Sequence, residues 1–282
     1  MKVVISRKGF DSQYGGVPSA ILPDGRLIPF PIPLRNDPTA YGEVSVNSVA
    51  IGKLVEDLTN GKIRQKYRCH LDPDIDRGSL PRLTGWRPSF GQIDAAQGHL
   101  QNQGVAEGDL FLFFGWFRRI EKTSSAWRYV RDSPGIHVLY GWLRIGKIIR
   151  LGQHEHPIPI KAFARHPHLH GHNRPSNTLY TASDRLGIAG IDASGAGLFT
   201  AITDNLILTD QSETNPRRNR SVWRLPAFMH PEKGSTLTYH CSARWQKGHD
   251  YCFLRSTGKG QEFVLNAEPA DLTKWIVRLF QR

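Results

Sequence analysis

The chain has 282 residues, enough to bury a large core, and its 39% hydrophobic and 22% charged residues exclude a disordered protein. Lys plus Arg number 37 against 25 Asp plus Glu, a formal charge of +12, so polyanions are the expected partners, nucleic acid first and an anionic membrane second. No apolar run reaches the length of a membrane span or a signal-peptide core, and Cys69, Cys241 and Cys252 form no Cys-x-x-Cys pair, so a cytoplasmic chain without a disulfide framework is expected.

In chain order, KVVIS (2–6) reads as a strand, followed by turn signals at Gly15-Gly16 and Pro23-Asp24-Gly25. VPSAILP and RLIPFPIP are short extended pieces, since their prolines oppose helix. Residues 43–57 read as strand or as helix, with Asn47-Ser48 able to cap the latter. CHLDPDIDRGSLPRLTGWRP (69–88) is a polar loop. FGQIDAAQGHLQNQG (90–104) carries a helical stripe of Ile93, Ala96, Gln97 and Leu100, with Gly104 as its stop. LFLFFGWF (110–117) is a continuous apolar strand. HVLYGWLRIGKIIRLG (137–152) is a strand or bent pair with room for a bulge at Gly141 or Gly146. Residues 153–175 are polar and rich in His and Pro, and QSETNPRRNR (211–220) is an exposed basic turn. PADLTKWIVRLFQR (269–282) is an amphipathic helix with Leu272, Trp275, Ile276 and Leu279 on one face. No internal repeat or linker divides the chain. A single α+β domain (1–282) with a mixed or barrel-like sheet and several helices is expected, and the strands at 108–150 suggest small barrels that read modified bases.

Chemistry concentrates in four places. Asp11 lies past the first strand between Lys8 and the Gly15-Gly16 pair, glycines that would let a substrate sugar come close. By position it reads first as an Asx-turn residue and second as a water activator. Lys8 and Arg7 are able to pair with phosphate or sugar oxygens, or to be solvated surface charges. Phe90, Gln92 and Gln97 suit the gripping of a nucleobase edge and equally suit an ordinary amphipathic helix, with His99 in the next turn. His154, His156, His166, His168, His170 and His172 are six of the 12 histidines. Alternating histidines on a strand would face one side and ligate a metal. Without a matching cysteine set or His-Glu-x-x-His, the reading places His168 as an acid or donor and expects no metal. Finally, Trp116, Arg118 and Arg119, and Arg217, Arg218 and Arg220 near Trp223, interleave rings with guanidiniums as a DNA-distorting surface requires, although core tryptophans flanked by surface arginines give the same string. The phosphate loop, the Gly-x-Ser-x-Gly elbow and the zinc-deaminase signature are missing from the sequence.

SRKGFDSQYGGVPSAILPDGRLIPFPIP (6–33), FGQIDAAQGHL (90–100), GDLFLFFGWFR (108–118), HVLYGWL (137–143) and NRSVWRLPAF (219–228) together resemble the third of the nucleotide modification associated domain families. The resemblance implies phage and bacterial systems that hypermodify DNA bases or respond to them, with intracellular DNA as partner. It raises Asp11 to a catalytic candidate. The reaction expected is glycosylase-type: excision of a modified pyrimidine, a glycosylated one included, from double-stranded DNA in anti-phage defence, without a diffusible cofactor. In that reading Asp11 activates water and steadies the sugar cation, and His168 or His99 donates to the leaving base. Gln92 and Gln97 hold the base edge, while Trp116, Arg118 and Arg220 hold the strand. A transferase that builds the modification, or a non-catalytic reader of it, are the alternatives.

Overall fold

Val3, Val4 and Ile5, apolar and β-branched, form the strand Val3–Arg7 inside the sheet, where both of its faces are covered. It runs parallel to Leu110–Lys122, with Val3 opposite Leu110 and Arg7 opposite Phe114, and antiparallel to Glu262–Asn266. The computed structural model describes residues 1–152, 160–170 and 174–281. Its main sheet has 11 strands, along the path Thr236–Leu237, Glu262–Asn266, Val3–Arg7, Leu110–Lys122, Ile136–Arg150, Thr178–Ala182, Ser89–Gln92. This is an α+β fold with a mixed sheet. Of the two forms expected, the sheet takes the open one: its path begins and ends on different strands, and among the described residues no barrel closes.

The strand Ile136–Arg150 is one bent strand. Its first part pairs with Leu110–Lys122 and its last part with Thr178–Ala182, and register shifts fall beside Phe113 and between Ile145 and Lys147, next to Gly141 and Gly146 as expected.

Helix α1 spans Ile51–Leu58, α2 Asp94–Asn102 and α3 Pro269–Leu279. In α3 the four buried side chains are Leu272, Trp275, Ile276 and Leu279, the face that the periodicity predicts. Two expectations need correction. Asn47 and Ser48 do not cap α1; both have positive φ and make the turn of the hairpin Ser45–Val46/Val49–Ala50, and the helix starts after Ala50. FGQ (90–92) is strand rather than helix: Phe90 pairs with Tyr180 and Gln92 with Thr178, and sheet pairing overrides the local helical stripe until Asp94.

A second core lies under the loops of the first sixty residues, with Phe10, Phe30 and Tyr41 fully buried edge to face. Among the described residues, no helix is long and apolar enough to cross a membrane.

Candidate functional site

Val3–Arg7 and Ser19–Ile21 lie along the same edge of Leu110–Lys122, opposite Ile136–Arg150. The first covers residues 110–114 and the second 117–119, so Gly115 and Trp116 are paired by neither. At this fork the chain leaves the sheet after Arg7 and loops outward. A Cβ at Gly115 would stand 2.9 Å from the Lys8 carbonyl oxygen, so glycine permits the crossing. The carboxyl end of a strand, where neighbouring connections diverge, is a general place for a ligand cleft in open sheets.

Phe10 anchors the loop in the second core, and Asp11 follows it at the surface of a cavity of about 360 Å³. That size lies in the usual range for a small-ligand site, roughly 300–1,000 Å³. Its walls include Arg7, Asp11, Trp116, His137 and Arg220. Asp11 Oδ1 accepts the backbone N–H groups of Gln13 and Tyr14, both at 2.7 Å, an Asx turn that fixes the carboxylate. Its Oδ2 accepts no hydrogen bond among the described residues. The turn and the catalytic candidate are therefore compatible: one oxygen holds the loop and the other is available.

Two guanidiniums flank that oxygen pair. Arg7 donates to the Thr257 and Gly258 carbonyls at 2.6 and 3.0 Å, and its guanidinium carbon lies 5.8 and 5.6 Å from the ring centroids of Phe114 and Phe263. Burial lowers its pKa from the ordinary arginine value, and neighbouring Asp11 acts in the opposite sense. Arg220 lies 4.2 Å over the Trp116 ring and donates to Ser12 Oγ at 2.9 Å. The Trp116 indole N–H is buried without a hydrogen-bond partner among the described residues.

His137 is the residue that sequence reasoning missed. Trp223 Nε1–H donates to its Nδ1 at 3.0 Å, which leaves the proton of the neutral ring on Nε2. Burial first, then Arg7 and Arg220, push its pKa down to about 3, so at neutral pH it is an uncharged donor at the cavity wall. The signal was a lone histidine opening the apolar strand HVLYGWL; its register opposite Trp116 is visible only in the sheet.

This shift has a stability consequence. Between about pH 3 and pH 6.5 the unfolded chain binds a proton that the folded chain refuses, so stability is highest above 6.5 and falls as pH falls. His240, at about 4, acts in the same direction. From His137 alone the protein is expected to be about 1.4 kcal/mol less stable at pH 5.5 than at pH 7.5. Urea unfolding at the two pH values checks this: His137→Gln should narrow the difference by about that amount, and an unchanged difference would show that His137 does not resist protonation.

Most of the other expected site residues lie outside the cavity wall. Lys8 contributes to the cavity wall, but its Nζ pairs with Glu262 at 2.8 Å and lies 4.5 Å over Phe90. Gly15 and Gly16 supply the positive φ of the loop, and a Cβ on Gly15 would strike the Phe10 ring at 2.4 Å; their role is to shape the turn. Phe90 is fully buried core and offers no face to a base. Gln92 is buried on Glu262 at 2.7 Å, and Gln97 is buried, accepting the Tyr180 hydroxyl at 2.9 Å, so neither is free to read a base edge. His99 lies on α2 against Thr238 and Tyr239, outside the cavity wall.

Arg118 donates to the carbonyls of Val130 and Arg131 and does not line the cavity. Arg119, Arg217 and Arg218 are exposed. His154, His156 and His172 lie outside the described residues. His166 and His168 are on or beside a 3-10 turn, Pro167–Leu169, instead of a strand. His168 is buried against Asp72 rather than standing at the Asp11 cavity. Donor atoms of His70, Asp72 and His168 lie within 4.8 Å of one another, close enough to hold a metal ion.

A family model described as nucleotide modification associated domain 3 matches residues 2–266. No curated protein and no solved structure matches the chain.

Proposed function

Because the chain belongs to the nucleotide modification associated domain 3 family, which points to a role in the modification of DNA bases, we propose that its Asp11 cleft excises a modified base from DNA. The observation that carries this reading is one carboxylate, held by its own turn at a cavity of nucleoside size, between Arg7, Arg220, Trp116 and His137. The extruded nucleotide enters with its phosphates toward Arg7, Arg220 and the exposed Arg217 and Arg218. The Trp116 ring, already stacked under a guanidinium, offers the apolar wall beside it.

In the reaction the bond from the sugar C1′ to the base nitrogen breaks, and its electron pair leaves with the base. Asp11 Oδ2 takes a proton from water as the water oxygen bonds to C1′, and its negative charge steadies the cation forming on the sugar. His137 Nε2–H hydrogen-bonds the departing base, replacing His168 and His99 in that role. The proton that Asp11 took from water then passes through solvent to the departed base anion, so the products are an abasic site and the neutral free base with Asp11 again ionised, and a phage that carries hypermodified pyrimidines would be the natural target.

Incubation of the protein with normal and phage-modified DNA, followed by alkali, tests the reading. Strand breaks confined to modified DNA are expected. Tight binding without breaks would replace this proposal with a reader, and activity that requires a sugar nucleotide would replace it with a transferase.

A further inference from the structure

A second polar cluster brings donor atoms of His70, Asp72 and His168 within 4.8 Å of one another. His70 ends the short strand Arg68–His70, Asp72 follows two residues later, and His168 comes from the Pro167–Leu169 turn about a hundred residues away. Their side chains are largely removed from solvent.

The outer nitrogen of each histidine is assigned by its neighbour. His70 Nδ1 is 2.7 Å from Asp37 Oδ2, and a carboxylate accepts, so Nδ1 carries the proton. His168 Nδ1 is 2.7 Å from Asn177 Oδ1. The orientation of that amide is set by its own Nδ2, which donates to the His168 carbonyl at 2.8 Å, so His168 Nδ1 is again the donor. With Nδ1 the donor in each ring, Nε2 is the atom left to act as a ligand, and both Nε2 atoms lie near the Asp72 carboxylate, with Oδ2 at 3.9 Å from His70 and 3.7 Å from His168.

Those separations are too long for hydrogen bonds. They approach the spacing of ligands around a common centre, since donors about 2.0–2.1 Å from a tetrahedral ion are roughly 3.4 Å apart. Asp72 is divided in the same way. Its Oδ1 accepts the Gly91 N–H at 2.8 Å and has His166 Nε2 at 3.4 Å, which leaves Oδ2 beside the two Nε2 atoms. His166 is itself buried, and its own Nδ1 accepts from the His168 backbone. A Cβ on Gly91 would fall 2.2 Å from the His168 ring, so the glycine makes room for that ring.

We infer that His70 Nε2, Asp72 Oδ2 and His168 Nε2 bind a divalent transition-metal ion of the zinc class. Two imidazoles and one carboxylate are borderline-to-hard donors that suit Zn²⁺ or a neighbouring first-row ion, and not Ca²⁺ or Mg²⁺. Asp37 and Asn177 are the outer partners that orient each ring, the arrangement by which proteins fix metal-binding histidines. The ion ties the 167–169 turn to the 68–72 segment and, through Gly91, to the sheet edge Ser89–Gln92. This holds independently of any reaction at the Asp11 cleft.

The test uses the untagged full chain. Elemental analysis should find about one zinc-class ion per chain. Chelation should lower Tm, and added Zn²⁺ or Co²⁺ should restore it, because an ion that binds only the folded state raises stability by mass action. Co²⁺ should show ligand-field absorption, and X-ray absorption at the zinc edge should show imidazole ligation. Asp72→Asn keeps an oxygen for Gly91 but removes the charge, and with His70→Gln it should weaken Zn²⁺ binding by at least about 100-fold. The proposal is overturned if no ion co-purifies and neither Zn²⁺ nor Co²⁺ moves Tm at millimolar concentration. It is equally overturned if both folded variants bind Zn²⁺ as the parent does. Should the variants not fold, imidazole ligation in the parent decides the matter: its presence at the bound ion supports the site and its absence overturns it.

Discussion

Asp11→Asn is expected to slow base release by roughly 10²–10⁴-fold, the range for loss of a positioned proton acceptor, while DNA affinity changes no more than a few-fold. The substitution is nearly isosteric, and the amide oxygen can still accept from Gln13 and Tyr14, so the loop keeps its turn. What disappears is the negative charge and the basic oxygen facing the cavity. Arg7 and Arg220 lose a neighbouring anion, so attraction to phosphate is retained or slightly strengthened. Single-turnover excision separates this effect from binding, which fluorescence anisotropy measures on the same DNA. Asp11→Ala is the useful contrast, because it also removes the turn bonds and should lower Tm as well. Full activity in Asp11→Asn would mean that another group activates water, and the cleft would lose its assigned chemistry.

The legible parts of this chain were those where local pattern and tertiary environment agree. The α3 stripe and the apolar run from Leu110 to Phe117 each have a single sensible placement, and both fold accordingly. Arg7, Asp11, Trp116 and Arg220 could be nominated from residue type and local setting, but their meeting in one cavity follows from pairing between strands over a hundred residues apart in sequence. Residue type misleads most for Gln92 and Gln97. A glutamine in a polar-looking segment suggests solvent or ligand, whereas each here is buried and has its hydrogen bond supplied by a distant partner, Glu262 or Tyr180. Within the histidine-rich stretch, spacing offered only a ligand set of its own, and without supporting motifs no metal was expected. The structure instead pairs His168 with His70 and Asp72, from a segment that read only as a polar loop, and no spacing rule within either segment reveals the other.

The second large effect concerns Lys8, whose sequence position suggested a ligand contact. Its ammonium lies 2.8 Å from Glu262, and the two side chains are only 9% and 1% exposed. Gln92 donates to the same carboxylate oxygen at 2.7 Å, while the other, Oε2, is buried with no hydrogen-bond partner among the described residues. This cluster joins the end of Val3–Arg7 to the start of Glu262–Asn266 and to the edge strand Ser89–Gln92. Lys8→Met removes the cation and leaves a carboxylate in a nearly dry site with one amide donor, which is expected to destabilise the fold by about 3–5 kcal/mol. Marginally stable domains have about 5–15 kcal/mol in total, so the loss is large enough to follow by urea midpoint or Tm. Adding Glu262→Gln removes the stranded charge and should recover most of the stability, since replacing both members of a buried pair is far less harmful than breaking it. The same double variant decides what Lys8 does for the cleft. If the ion pair serves only to hold Arg7 and the loop in place, base release should return with stability. If stability returns and base release does not, Lys8 contributes its charge to the reaction itself, and its assignment to the scaffold is wrong.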